Sequence, residues 1–152
     1  MSVEIVMERP DAADAVALIQ EIVRNVASAY PQQSRHGRSP EELAMEAVAF
    51  FIIRVNGTAA GCGGIKLGGD GYGEIKRLYI RPQFRGQGLA KRMMEHLEAY
   101  ARGHDVCILR LQTGIYQIEA MELYRQSGYL EIPPFSPYQE DPFNRFYEKR
   151  IG

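Results

Sequence analysis

Residues 77–101 read RLYIRPQFRGQGLAKRMMEHLEAYA, and the chain changes character in the middle of them. Arg77–Ile80 closes an apolar and aromatic strand-like run, and Pro82 cannot donate to a ladder, so a sheet stops there. Gly86 and Gly88 permit backbone angles barred to other residues and let another group approach the main chain. From there Ala90, Met93, Leu97 and Ala101 share one helical face, with Lys91, Arg92, Glu95, Glu98 and Arg102 elsewhere. A loop that runs straight into a helix presents the first helical amides outward, unpaired and slightly positive. Arg85, Lys91 and Arg92 add full charge nearby, so the stretch describes an anion site, most naturally for a pyrophosphate. The plainer reading is a helix start whose glycines only make a tight turn.

Working outward, residues 48–80 predict a three-stranded antiparallel meander. "VAFFIIRV" turns at Asn56-Gly57 into "TAAGCGGIKL", and "GGDGYG" turns that strand into "EIKRLYI". Upstream, "VEIVME" reads as a strand, with Asp11 as the cap of a following helix. Ala15, Leu18, Ile19, Ile22 and Val26 form the buried face of that helix. Ser39-Pro40-Glu41-Glu42 opens a short second helix. Downstream, Gly103 caps the long helix and "VCILRL" reads as a strand buried on both faces. A helix over about Gln117 to Ser127 stops at Gly128, and "YLEI" pairs with "FNRFYEKRI" around a Pro-rich loop. The expectation is one α+β domain over residues 1–152, its mixed, mostly antiparallel sheet flanked by helices in the order β-α-α-β-β-β-α-β-α-β-β.

Composition narrows the function. With a formal net charge of −1 over 152 residues, the chain lacks the basic excess of nucleic-acid binders. No apolar run reaches the roughly 18–20 residues of a membrane span, and no leading segment reads as a signal peptide, so a cytoplasmic location is expected. Cys62 and Cys107 sit in apolar stretches and read as small core residues. Neither has a base beside it in sequence, which gives an acyl-cysteine route no support. His36 and His104 have no ligand spacing around them, so no metal is expected.

Known phosphate motifs fail. There is no Gly-Lys-Ser/Thr as in a Walker loop, and Lys91 stands where the dinucleotide fingerprint needs its third glycine. Gln83-Phe84-Arg85-Gly86-Gln87-Gly88 instead fits Q/R-x-x-G-x-G/A, the acyl-CoA pyrophosphate loop of the GNAT family of N-acetyltransferases. "EIKRLYIRP" resembles that family's preceding strand, and "QIEAMELYRQSGY" resembles its later helix. The resemblance is specific over residues 74–130 and general elsewhere, and it is nearest to the family's bacterial small-molecule branch.

The resemblance implies transfer of an acetyl group from acetyl-CoA directly to a primary amine, of a small molecule or amino acid, with no metal. It places the pyrophosphate on the amides of Arg85, Gly86, Gln87, Gly88, Leu89 and Ala90, and the pantetheine arm along Leu78, Tyr79 and Ile80. Gln117 stands where many relatives carry asparagine, so its contact to the cofactor arm is open. Tyr124 would protonate the departing thiolate; by spacing alone it is a packing residue on the face of Ala120 and Met121. Glu74 is either a base or water-binding carboxylate, or a solvated strand end. Three charges among Glu74-Ile75-Lys76-Arg77 are costly in a central strand. Either the strand begins late, or Lys76 or Arg77 meets a wet cleft and an anionic substrate group. Arg35, His36 and Arg38 on one loop, and Phe135 and Tyr138 on another, are the expected acceptor walls, although a solvated loop explains the first set equally. Dimers are common in the family, so a homodimer is an open expectation. Two rivals stand beside this enzyme: a non-catalytic acyl-CoA-binding regulatory module, and an acetyltransferase acting on a protein amine. An interaction module using the arginines between Arg77 and Arg92 is weaker on charge grounds.

Overall fold

A computed structural model describes residues 2–29, 48–68 and 71–152. Its elements are β1 Val3–Glu8, α1 Ala13–Ala29, β2 Ala49–Val55, β3 Thr58–Leu67, β4 Gly73–Ile80, α2 Leu89–Gly103, β5 Ile108–Gly114, α3 Ile118–Gln126, β6 Leu130–Ile132 and β7 Asn144–Arg150. The strands form a seven-stranded sheet in the order β1-β2-β3-β4-β5-β7-β6. Among the described residues only the β4–β5 pairing is parallel; the others are antiparallel. The mixed sheet flanked by helices is the α+β architecture expected. The predicted helix opening at Ser39 lies outside the described residues.

Local chemistry explains the turns. Asn56 and Gly57 both take positive φ, 50° and 84°, as a two-residue hairpin of matching twist requires. The β4 strand ends at Ile80, and Pro82–Phe84 forms a single tight helical turn in place of further ladder. The two sheet faces carry separate clusters. On one, Met93, Leu97 and Ala101 of α2 pack on Phe51, Ile53, Ile65, Leu109 and Leu111. On the other, Ala15, Leu18 and Ile19 of α1 cover Phe50, Ile52 and Cys62.

Four expectations are corrected. Helix α1 starts at Ala13 rather than directly after Asp11, whose carboxylate instead takes a two-pronged bond from Arg9. The left-handed residue after α2 is Asp105, φ 61°, so Gly103 stays inside the helix. Strand β5 alternates between buried and half-buried residues rather than being covered on both faces. Cys107 precedes that strand and is exposed, whereas Cys62 is buried.

Strand β4 carries an irregularity that the sequence does not announce. Cys62 pairs with Tyr79 and Gly64 with Lys76, so Arg77 and Leu78 together oppose Gly63. This is a β-bulge, and Arg77 sits in it at φ 58°, a strained conformation for a side chain of its size. The Cys62 thiol donates to the Arg77 carbonyl at 3.2 Å. The charge-rich strand begins on time at Gly73, and the bulge turns its direction just before Leu78.

Candidate active site

Strands β4 and β5 pair over three rungs only, from Gly73↔Leu109 to Ile75↔Leu111. Past Ile75 they part, and a cavity of about 610 Å³ opens between the end of β4, the glycine loop and α3. That volume falls within the range of small-molecule sites.

The glycine loop forms one end. Gly86 and Gly88 line the cavity with φ of 80° and 77°. A Cβ at either position would meet no protein atom within 4 Å among the described residues. The space in front of them is therefore open to a ligand, and only glycine holds both angles without strain. Gly88 is the N-cap of α2 with no side-chain cap, and Leu89, Ala90 and Lys91 follow it along the wall. Uncapped amides, the helix dipole and a lysine make this end attractive to an anion. Arg85 also lines the cavity; its guanidinium donates to the Ile80 carbonyl at 2.9 Å and lies 5.8 Å from the Tyr79 ring centre. Gln87 is exposed and is not part of the lining.

The side walls come from Leu78, Tyr79 and Ile80 on one flank and from Gln117, Ala120 and Leu123 on the other. Gln117 is the N-cap residue of α3. Tyr79 reaches away to Glu21 on α1, donating its hydroxyl at 3.1 Å. Tyr124 forms the buried end, only 6% exposed. Burial pushes its phenol well above the ordinary value, and the neighbouring Tyr147 adds to the effect. Its ring centre lies 6.2 Å from Tyr129 and 6.0 Å from Tyr147. Tyr116 and Ile118, 58% and 71% exposed, also line the cavity and are its solvent-facing members. The lining thus ranges from wet and apolar to closed and phenolic. The sequence reading missed these two because an exposed tyrosine and isoleucine carry no periodicity of their own.

A second cluster lies off the cavity lining. Glu74, one rung before the strands part, is 8% exposed, so the solvated strand-end reading is excluded. The Tyr138 hydroxyl donates to its carboxylate. Phe135 stacks edge-on against Tyr138 at 5.2 Å and against Tyr72 at 5.6 Å. Arg110, opposite Glu74 in the ladder, lies 4.3 Å from the Tyr72 ring centre and donates to Glu148 at 2.7 Å. Glu74, Phe135 and Tyr138 are thus brought together, with Tyr72 and Arg110 as members the sequence did not flag. Arg77 stands in the bulge, and Arg35, His36 and Arg38 lie outside the described residues.

With this geometry in view, a profile of the acetyltransferase (GNAT) family matches residues 19–129. The chain belongs to the GNAT acetyltransferase family. It is 38% identical over 151 residues to an IAA acetyltransferase of Azospirillum brasilense, covering 99% of each chain. A solved structure from Klebsiella pneumoniae, described as an acyl-CoA N-acyltransferase, superposes with a TM-score of 0.84 at 38% identity, over 99% of this chain and 98% of that one. The PaiA N-acetyltransferase of Thermoplasma acidophilum, solved in complex with coenzyme A, shares the fold at TM-score 0.79 and 19% identity, over 99% of each chain. This GNAT protein is therefore an N-acetyltransferase, an acyl-CoA-dependent transferase. Its glycine loop, splayed strands and α3 tyrosine all converge on one cavity.

Proposed function

We propose that this GNAT acetyltransferase moves an acetyl group from acetyl-CoA directly to the primary amine of a small molecule, within the splay between β4 and β5. The observation that carries the reading is the cavity itself. It brings the open glycine loop, the end of β4 and the buried Tyr124 phenol into one lining. The similarity to a protein named IAA acetyltransferase supports a small-molecule acceptor over a protein amine.

The residues fit coenzyme A in sequence. The amides from Arg85 to Ala90, with Lys91, hold the pyrophosphate at the helix N-terminus. Main-chain groups of Leu78, Tyr79 and Ile80 pair with the pantetheine arm, and Gln117 faces it from α3. Acetyl-CoA supplies the activated acetyl thioester. Glu74 takes the proton that the amine releases as its nitrogen bonds the acetyl carbon and the carbon–sulfur bond breaks. An ammonium of pKa near ~10 gives its first proton to solvent before it attacks; Glu74 receives the second, and coenzyme A leaves as the thiolate. Tyr124 steadies the departing sulfur. Burial lifts its phenol still further above a thiol's ordinary value of about 8.5, so the proton stays on oxygen while the bond to sulfur is donated. Phe135 and Tyr138 wall the acceptor side, with Arg77 and Arg35 as candidates for contact with an anionic group on it.

Isothermal titration of acetyl-CoA into wild type and Gly86→Glu tests the cavity, and a thiol-release screen over amines and amino acids tests the acceptor. Binding by wild type that the charged, bulky variant loses, with turnover on one small acceptor class, is the expected result. No binding by wild type would reduce the glycine loop to a turn.

A further inference from the structure

Among the described residues, the chemistry above leaves one buried carboxylate unused. Glu98, in the middle of α2, is 6% exposed and accepts from the Tyr129 hydroxyl at 2.9 Å and from Lys149 Nζ at 3.2 and 3.3 Å. Tyr129 is 1% exposed, and it grips Tyr124 twice. Its amide donates to the Tyr124 carbonyl at 2.9 Å, and its ring packs on the Tyr124 ring at 6.2 Å. Gly128, at φ 93°, donates to Arg125 at 3.1 Å, and the pair of bonds closes α3 as a Schellman cap in which Tyr124 and Tyr129 are the joined residues.

We propose that Glu98 and Tyr129 are positioning residues for Tyr124: Glu98 fixes the far end of Tyr129, and Tyr129 fixes the phenol at the buried end of the cavity. The inference rests on the role assigned to Tyr124. Its physical ground is the contrast between directional and slippery contacts. An aliphatic pair between α2 and α3 would fill this volume without the desolvation cost of a carboxylate. It would also let the helices slide by fractions of an ångström, whereas a hydrogen bond tolerates little misalignment. Glu98 belongs to the helix whose N-terminus carries Gly88 and Leu89, so the clamp sets the phenol against the same rigid element that forms the anion end. Both ends of the cavity are thereby referred to α2.

A double-mutant cycle with steady-state kinetics decides the point. Tyr129→Phe keeps the ring and the cap and removes only the hydroxyl. Its kcat is expected to fall roughly five- to tenfold with the KM for acetyl-CoA unchanged, as one misplaced hydrogen-bond donor allows. In a Tyr124→Phe background the same change is expected to have no further effect on kcat, because the group it positions is gone. Glu98→Gln, which keeps an oxygen for Tyr129, should retain most of the rate that Glu98→Leu loses. An equal loss in both backgrounds, or no loss from Tyr129→Phe, overturns the clamp while leaving Tyr124 in place. A Tyr124→Phe enzyme with the wild-type kcat removes the role of Tyr124 and the clamp with it.

Discussion

Tyr138 and Glu74 stand 64 residues apart in the chain, and the hydroxyl of the first donates to the carboxylate of the second. The contact joins the Pro-rich loop before β7 to the last paired rungs of β4, where the sheet begins to open. A carboxylate at 8% exposure needs such a donor, because an ionised group without partners is costly to bury.

Removing that donor should affect the acceptor side alone. Tyr138→Phe is expected to lower kcat/KM for the amine by roughly tenfold, the scale of one lost charge-assisted bond. The affinity for acetyl-CoA should stay as in wild type, since neither residue lines the cavity. Titration and kinetics on one preparation separate the two, and a weakened acetyl-CoA affinity would contradict the assignment.

Tyr124→Phe should behave in the converse manner to a binding mutation. The expected loss is about 10- to 100-fold in kcat, the scale of one lost hydrogen bond to a charged leaving group. The KM for acetyl-CoA is expected to hold. Because burial raises the phenol, wild-type activity should show no decline from Tyr124 ionisation below pH ~10. A rate that falls through pH 8–9 in wild type and not in the variant would count against this.

Alkaline stability should report Cys62. Burial raises its thiol from 9.0 to about 12, with the Arg77 charge acting in the opposite sense. Between those values the unfolded chain has lost the proton and the folded protein keeps it. Stability is therefore full below pH 9.0 and declines as pH rises toward about 12. The slope from one such group is about 1.4 kcal/mol per pH unit. Denaturant titrations of wild type and Cys62→Ala at several alkaline pH values should show a shallower slope in the variant. Parallel slopes would mean the thiol does not titrate with unfolding.

Acid stability should report Glu21. Burial alone would raise its carboxyl, but hydrogen bonds from Arg81 and Tyr79, and the charges of Arg81 and Arg24, outweigh it and hold the group below its ordinary value. Arg81 reaches it through two nitrogens, at 2.8 and 3.0 Å, and ties α1 to the end of β4. With the folded value depressed, this stability is present above pH 4.5 and lost as pH falls through the folded value. Glu21→Gln is expected to cost about 1–3 kcal/mol at pH 7 and to flatten the decline at lower pH. An unchanged acid profile would assign the pair no part in holding α1.

The resemblance of Gln83–Gly88 to an acyl-CoA loop carried the family, and chain-local chemistry marked the open backbone in front of α2. Pro82 had to stop a strand, Asn56-Gly57 had to turn one, and Gly86 and Gly88 had to mark open backbone before a helix. Each is set by sterics over a few residues, and periodicity placed Met93, Leu97 and Leu18 in the core for the same reason. Position within a strand was less legible. Cys107 reads as core because the apolar run hides where β5 begins, and a period of two leaves no margin for that. The pairing of β4 with β5, and of β5 with β7, decided that Glu74 stands level with Arg110 in the ladder and that Arg110 bonds Glu148. The bulge at Arg77 came from a register mismatch between two strands, which no single segment contains. Glu98 looked like one more charge on a solvated helix face. Only the packing of α2 against the α3 cap and β7 made it a buried acceptor, because three elements distant in sequence must meet before its partners exist.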